Sequence, residues 1–384
     1  MSGAASFVSV GNLLWGPLGG WASDRYGPKW VILLGLLLLS LGFILVSFAS
    51  TYLIFILVWG ILVGAGWCFA CAIPPTKAMI NWFTRRSGIA ISITFSFSLL
   101  SGLVLLPLTA WLITSQGWRH TALIAGIVIA IVGFPLIWFL VKRHRPEYYG
   151  LVPDGTPKKK DTDSNQIAGQ KVYTNTVGAV ELTLRQTLKT RSFWLLMTSV
   201  WVSTLAMSIM TVHLVPFLTD MGMSTVKAAG VMSIWLTCAI PSRLAVGFLV
   251  DHMKTKNLRF VLAATYIIQA LGVAIFLLNK SLPLLYVWFV IYGLGQGANF
   301  SAMIPLLPRY FGRKAYGSID GVRGSLMAPV ALVGPIYVGW VYDTTHSYTN
   351  VLILFAITLA VAGVVACFML PPKTPTKVTD KAES

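Results

Sequence analysis

The chain has 384 residues and a formal net charge of +17, yet only 11% of its residues are charged and 56% are apolar. Mean hydropathy is +0.75, whereas soluble domains carry roughly 25% charged residues, which excludes a water-soluble enzyme or nucleic-acid-binding domain. Apolar stretches of about 20 residues, enough to cross a ~30 Å hydrocarbon core, recur from end to end and predict an all-α polytopic membrane protein.

In chain order, spans are expected at 5–22, 30–49, 53–79, 87–111 and 120–141, giving an N-terminal bundle of five within residues 1–141. The first stretch is too glycine-rich and too close to a polar turn to be a cleaved signal peptide. A polar linker follows over 142–192, with ten Lys or Arg and five acids. Its lysine-rich centre reads as turn or disordered chain. Towards its end, Leu182, Leu184 and Leu188 lie among basic residues, predicting a short helix on the inner membrane interface. Spans at 193–217, 228–249, 259–278, 283–307, 315–339 and 350–370 form a C-terminal bundle of six, before a tail over 371–384. The total of eleven is odd, and the N-terminal bundle is one helix short of the C-terminal one. The expectation is a missing first helix, from a truncated or misassigned start.

Loops 23–29, 80–86, 142–192, 250–258 and 308–314, Arg259 and the tail hold 23 of the 29 Lys and Arg. The alternate loops hold Arg119, Lys227 and Lys280. The positive-inside bias places the first set and the C-terminus in the cytoplasm of a multi-pass cell-membrane protein. The excess charge therefore reports orientation and contact with anionic lipid rather than a nucleic-acid partner.

Internal repetition gives the organisation. Gly20-Trp-Ala-Ser-Asp24-Arg25-Tyr-Gly27-Pro-Lys29 recurs in weaker form as Gly247-Phe-Leu-Val-Asp251-His-Met-Lys254. Phe83, Arg86 and Pro107 pair with Phe311, Lys314 and Pro335 at a spacing of 228. Two related membrane halves joined by a polar linker are a transporter's arrangement.

The Gly20–Lys29 turn resembles that of the major facilitator superfamily, with Pro28 where the family usually has a second basic residue, and the likeness covers residues 5–370. Trp82-Phe-Thr-Arg-Arg-Ser-Gly88, the glycine-rich entry Gly60–Gly66 and the Leu188–Trp194 lead-in resemble the branch of oxalate/formate antiporters and monocarboxylate transporters. The resemblance implies two pseudo-twofold bundles, with the first family helix missing here. Asp24 and Arg25 are expected where the inner ends of the halves meet, as a cytoplasmic gate. Arg85, Arg86, Arg313, Lys314 and Asp251 with Lys254 form the matching set. Ion pairs there hold the inside shut until the halves rock; the plainer reading is that these groups anchor loops in water.

The few charges inside the spans carry the substrate chemistry. Arg243 lies eight residues before Asp251 and Arg323 nine after Lys314, both about 12–13 Å deep at 1.5 Å per residue. A lipid-facing arginine there is costly, so both are expected to face a cavity or a partner. Two converging guanidinium groups suit a carboxylate, and both positions match basic substrate contacts of the resembled branch. Ala239 stands where the monocarboxylate type would have an acid, which weakens a proton-linked, lactate-like mechanism. Asp320, three residues before Arg323, either neutralises it or serves as a proton-coupling switch. His213 is either a packed, hydrogen-bonded histidine or a second proton-coupling candidate. Gln296 and Asn299 either line the cavity or bond across helices, and Lys77 is expected to snorkel to the headgroups.

Other signals carry little. Cys68-Phe-Ala-Cys71 lies within a span and has no second cysteine pair, so no metal or redox cofactor is expected. Gly293-Leu-Gly-Gln-Gly297 is a packing run, since no strand precedes it and no lysine follows. With no catalytic cluster, the expected function is secondary transport of small organic anions, mono- or dicarboxylates, by antiport or proton symport in a monomer. The alternatives are export or transport of drugs, sugars or other neutral metabolites, and a truncated, non-transporting or sensor-like protein.

Overall fold

The computed structural model describes residues 2–151, 153–155, 181–278, 281–345 and 347–372, nearly all of them helical. Helix α1 spans Ser2–Tyr26 and α2 spans Pro28–Ser47, with Pro28 at the first turn, where its missing N–H costs nothing. Helix α3 covers Tyr52–Trp82 and passes through two π-helical turns, Trp59–Val63 and Cys68–Ala72. Thr51 caps its start by accepting from the Ile54 N–H at 3.3 Å.

The segment Ser87–Leu140 is helical on both sides of Gly117, whose φ of 82° breaks the rod. Its arms are α4 (87–116) and α5 (118–140). The loop expected between 111 and 120 is therefore a single glycine hinge, because only glycine takes this left-handed backbone without strain. The C-terminal bundle comprises α6 (Arg191–Asp220), α7 (Thr225–His252), α8 (Leu258–Leu278), α9 (Leu282–Phe311), α10 (Tyr316–Thr345) and α11 (Thr349–Cys367). Among the described residues, eight stretches are long and apolar enough to cross a membrane, and one of them is the broken Ser87–Leu140 rod.

Two bundles result, α1–α5 and α6–α11, and they meet along two seams. Helix α1 runs against α10, and α4 runs against α7 and α9. Both seams bring backbone to backbone. A β-carbon on Gly20 would lie 2.0 Å from the Gly317 carbonyl oxygen, and one on Gly88 would lie 2.5 Å from that of Gly247. Glycine at these four positions is what allows so close an approach. Outward faces carry exposed Phe97, Leu105, Trp111 and Phe139, apolar groups that suit lipid rather than water.

The linker departs from expectation at its end. The short helix is Leu184–Leu188, started by a capping box between Thr183 and Gln186. Leu182 is buried and donates its N–H to the Phe311 carbonyl at 3.0 Å. The helix is therefore docked on the end of the C-terminal bundle, because Leu182 finds apolar cover there rather than in lipid. The lysine-rich centre of the linker and the tail beyond 372 lie outside the described residues.

Candidate functional site

At the basic end of the molecule each seam is closed by an aspartate from one bundle on a helix N-terminus of the other. Asp24, near the end of α1, accepts from the Gly317 N–H (2.9 Å), the Ser318 N–H (2.7 Å) and the Ser318 hydroxyl (2.6 Å). Asp251, near the end of α7, accepts from the Gly88 N–H (2.7 Å) and the Ile89 N–H (2.9 Å). The first N–H groups of a helix lack intrahelical acceptors and carry its positive end. Each carboxylate is thus anchored by hydrogen bonds and by the helix dipole at once.

Each aspartate also has a cation. Lys77 of α3 pairs with Asp24 and donates to the Ser23 carbonyl at 3.0 Å. Arg309 of α9 lies 3.3 Å from Asp251 and donates to the Val250 carbonyl at 2.9 Å. Both placements correct the sequence reading. Lys77 is 4% exposed and turned inward, so it does not snorkel. The partner of Asp251 is Arg309 rather than Lys254, because Arg309 lies in the last turn of a packed neighbouring helix.

The remaining expected gate residues divide. The Arg25 guanidinium lies on the exterior, 5.3 Å from the Trp21 ring centre and 5.7 Å from that of Tyr26, instead of reaching the other bundle. Arg85 and Arg86 are exposed and enter through their backbone: their N–H groups donate to Asp154 at 2.8 and 3.3 Å. Lys314 is exposed too, and its N–H donates to Glu181 at 2.9 Å. Arg313 does join the two bundles, donating to the Ile80 carbonyl at 3.4 Å and lying 3.8 Å from Glu147.

Deeper along the second seam, Arg243 on α7 is 3% exposed. Its Nη1 donates to the Phe95 carbonyl of α4 at 2.8 Å, and its guanidinium lies 5.0 Å from the Phe300 ring centre on α9. Its Nε has no hydrogen-bond partner among the described residues, and no carboxylate there is within ion-pair range. One residue past Phe95, the Ser96 hydroxyl is likewise buried without a partner among the described residues. Ser92 of α4 and Ser301 of α9 share a hydrogen bond of 2.7 Å across the same seam.

Arg323 on α10 does not converge on Arg243 through any contact among the described residues. Its Nε is 2.6 Å from Asp320, which also accepts from the Tyr316 hydroxyl at 3.3 Å. Asn299 is fully engaged inside the C-terminal bundle. It accepts from Ser203 at 3.0 Å and donates to Thr265 at 3.0 Å, beside buried Tyr266. That is the cross-helix reading, since both ends of the amide are occupied. Among the described residues, Gln296 makes a 3.5 Å contact with the Met207 sulfur. The His213 Nε2 is 2.9 Å from the Pro335 carbonyl, tying α6 to α10.

Sequence reasoning passed over Asp154 and Glu181, which flank the lysine-rich centre of the linker. Asp154 accepts from the Thr84 N–H (3.0 Å) and hydroxyl (2.6 Å) besides the two arginine N–H groups. Burial pushes its carboxyl up, but these bonds outweigh burial and hold it below the usual range. The Asp154-Gly155 pair after a proline was the signal available, since such pairs mark turns.

Two helical bundles that touch through polar locks at one end, with few charges buried between them, define a membrane transporter whose halves move against each other. The profile of the Major Facilitator Superfamily matches residues 1–335 and 259–384, and the chain belongs to that family. It is 30% identical over 377 residues to monocarboxylate transporter 12 of Rattus norvegicus, across 94% of this chain and 76% of that protein. It is 27% identical over 371 residues to the uncharacterized transporter YycB of Bacillus subtilis, across 94% and 83%. The E. coli fucose:proton symporter FucP shares the fold, with a TM-score of 0.68 at 14% identity over 95% of this chain and 90% of that one. The chain is a multi-pass secondary transporter that carries a small organic solute across the bilayer by alternating access. It is not an enzyme, and it falls in the broad branch of monocarboxylate transporter-like sequences.

Proposed function

We propose that the solute is a small organic anion, a mono- or dicarboxylate, bound between the bundles against Arg243. The observation that carries this reading is a charge balance. Of the buried and half-buried cations along the seams, Lys77 is matched by Asp24, Arg309 by Asp251 and Arg323 by Asp320. Arg243 has no acid among the described residues and keeps a donor unused. A buried, unmatched guanidinium is costly, and a carboxylate arriving as solute would supply both the charge and the acceptor. The residual single charge favours one carboxylate per turnover, and Gln296 is a further polar contact. Release of Arg323 from a protonated Asp320 would add a second cation, coupling proton movement to a dicarboxylate or to exchange; His213 is the other titratable group on this path.

In this reading the halves are pseudo-twofold related, eleven spans cross the cell membrane, and the monomer is the working unit. The basic end and the C-terminus lie in the cytoplasm, following the placement of the 23 basic residues. Asp24, Asp251 and Arg313 are then the cytoplasmic gate, and the structure is the inside-closed state. The rat relative's name points to monocarboxylates as well. Equilibrium binding of labelled short carboxylates tests the site. Arg243→Lys keeps the charge but loses the planar fork, and is expected to weaken binding about ten- to a hundredfold. Arg243→Gln is expected to bind more weakly still. Full affinity in Arg243→Gln would remove the anion site.

A further inference from the structure

The N-termini of α4 and α10 are each held by two carboxylates, and the two have different origins. At α4, Asp154 takes the Thr84, Arg85 and Arg86 N–H groups while Asp251 takes those of Gly88 and Ile89. At α10, Glu181 takes the Lys314 N–H while Asp24 takes those of Gly317 and Ser318. Asp154 and Glu181 belong to the linker and bind the bundle to which they are joined in sequence. Asp251 and Asp24 come from the opposite bundle. When the bundles part at the basic end, the second pair must leave and the first pair stays.

We propose that Asp154 and Glu181 are positioning residues of the transport cycle, which set the balance between the two access states by sharing the positive ends of α4 and α10 with the departing aspartates. Two effects act in one direction. With both carboxylates in place, each partly neutralises the helix end and repels the other, which weakens the lock. After opening, the retained carboxylate still offsets part of the positive helix end, while the Gly88, Ile89, Gly317 and Ser318 N–H groups that the aspartates leave turn to water. Both effects favour opening.

The backbone supports a selected role. Asp154 has φ of 62°, the one positive value outside glycine among the described residues. Such a conformation persists where the surroundings over-determine it, and here it delivers the carboxylate to four donors. The arrangement also gives the linker a task besides tethering, because both of its flanks end on the turns that precede the locked helices.

The inference rests on reading Asp24 and Asp251 as locks of the closed state, and the test separates the two. Spin labels at Lys142→Cys and Lys254→Cys, exposed on opposite bundles, in protein whose four native cysteines are replaced, report short and long distances at the basic end in lipid nanodiscs. Asp24→Asn is expected to enlarge the long-distance population; no change there would overturn the lock, and this inference with it. Asp154→Asn, which keeps an acceptor and tolerates the left-handed backbone, is expected to shift the ratio about two- to fivefold the opposite way, towards the short distance. Glu181→Gln, an exposed change with one bond at stake, is expected to do the same and to multiply with it. A purely structural role predicts lower thermal stability with an unchanged ratio. That result, or a shift towards the long distance, while Asp24→Asn still opens the protein, would overturn this inference and leave the lock standing.

Discussion

Replacing Gly20 with alanine is expected to open the α1–α10 seam. The new methyl carbon would sit 2.0 Å from the Gly317 carbonyl oxygen, 2.7 Å from its carbon and 3.2 Å from the Ser318 Cα. All three are backbone atoms of a helix, so no side chain can turn away. Restoring ordinary contact at about 3.4 Å requires α1 and α10 to separate by roughly 1.4 Å. The three bonds from Gly317 and Ser318 to Asp24, now 2.6–2.9 Å, would lengthen past ~4 Å and cease to be hydrogen bonds. Bonds to charged groups contribute about 1.5–3 kcal/mol net each, and water recovers part of the loss. A net cost near 2 kcal/mol to the closed state corresponds to a shift of about thirtyfold. Distance measurement at the basic end reads that shift directly, because the cost falls only on the state in which the seam is closed. Gly102→Ala is the control: its β-carbon meets nothing within 4 Å, so the ratio is expected to stay as in wild type. A closed population in Gly20→Ala within twofold of wild type would refute the reasoning.

Three further outcomes are expected. Lys77→Gln leaves half-buried Asp24 without its cation and should lower thermal stability by about 3 kcal/mol, whereas adding Asp24→Asn should recover part of the loss in a double-mutant cycle; simple additivity would contradict the pair. The Asp154 carboxyl is held below its ordinary range, so its contribution to stability is complete above the unfolded value, about 4, and is lost as pH falls through the lower folded value. The difference in melting temperature between wild type and Asp154→Asn should therefore be flat above about pH 5 and shrink in acid; a difference unchanged down to pH 2 would refute that cause. Asp320→Asn frees Arg323 from its 2.6 Å partner and is expected to preserve exchange of anion for anion while uptake driven by a pH gradient collapses, measured by counterflow in liposomes; equal loss of both would make Asp320 a structural partner only.

The membrane class, the broad fold and the two glycine–aspartate turns were legible in the sequence, because hydropathy and repetition are local signals. Asp24 and Asp251 stood out through their shared spacing from Gly20 and Gly247. Their partners did not, since Lys77 and Arg309 are brought in by helix rotation across tens of residues, and an apolar flank makes an inward lysine look like a snorkelling one. Loop arginines were overrated for a related reason. Arg25, Arg85 and Arg86 sit at the right end of the molecule, but sequence does not distinguish a side chain over a tryptophan from one reaching across a seam. Arg243 stood out because a lone arginine within a span must face a cavity or a partner, and it is buried against the Phe95 carbonyl. The occupied amide of Asn299 was not settled by sequence, because Ser203 and Thr265 complete its bonds from two other helices.

Uptake into liposomes containing the purified protein tests the anion assignment most directly. A panel of labelled short mono- and dicarboxylates, neutral sugars and amino compounds would be offered under an imposed pH gradient and, separately, against an internal load of the same solute. The account predicts saturable carboxylate uptake, competed by other carboxylates, indifferent to sugars and lost in Arg243→Gln. Saturable uptake of a neutral or cationic solute, with no carboxylate transported and no dependence on Arg243, would contradict it.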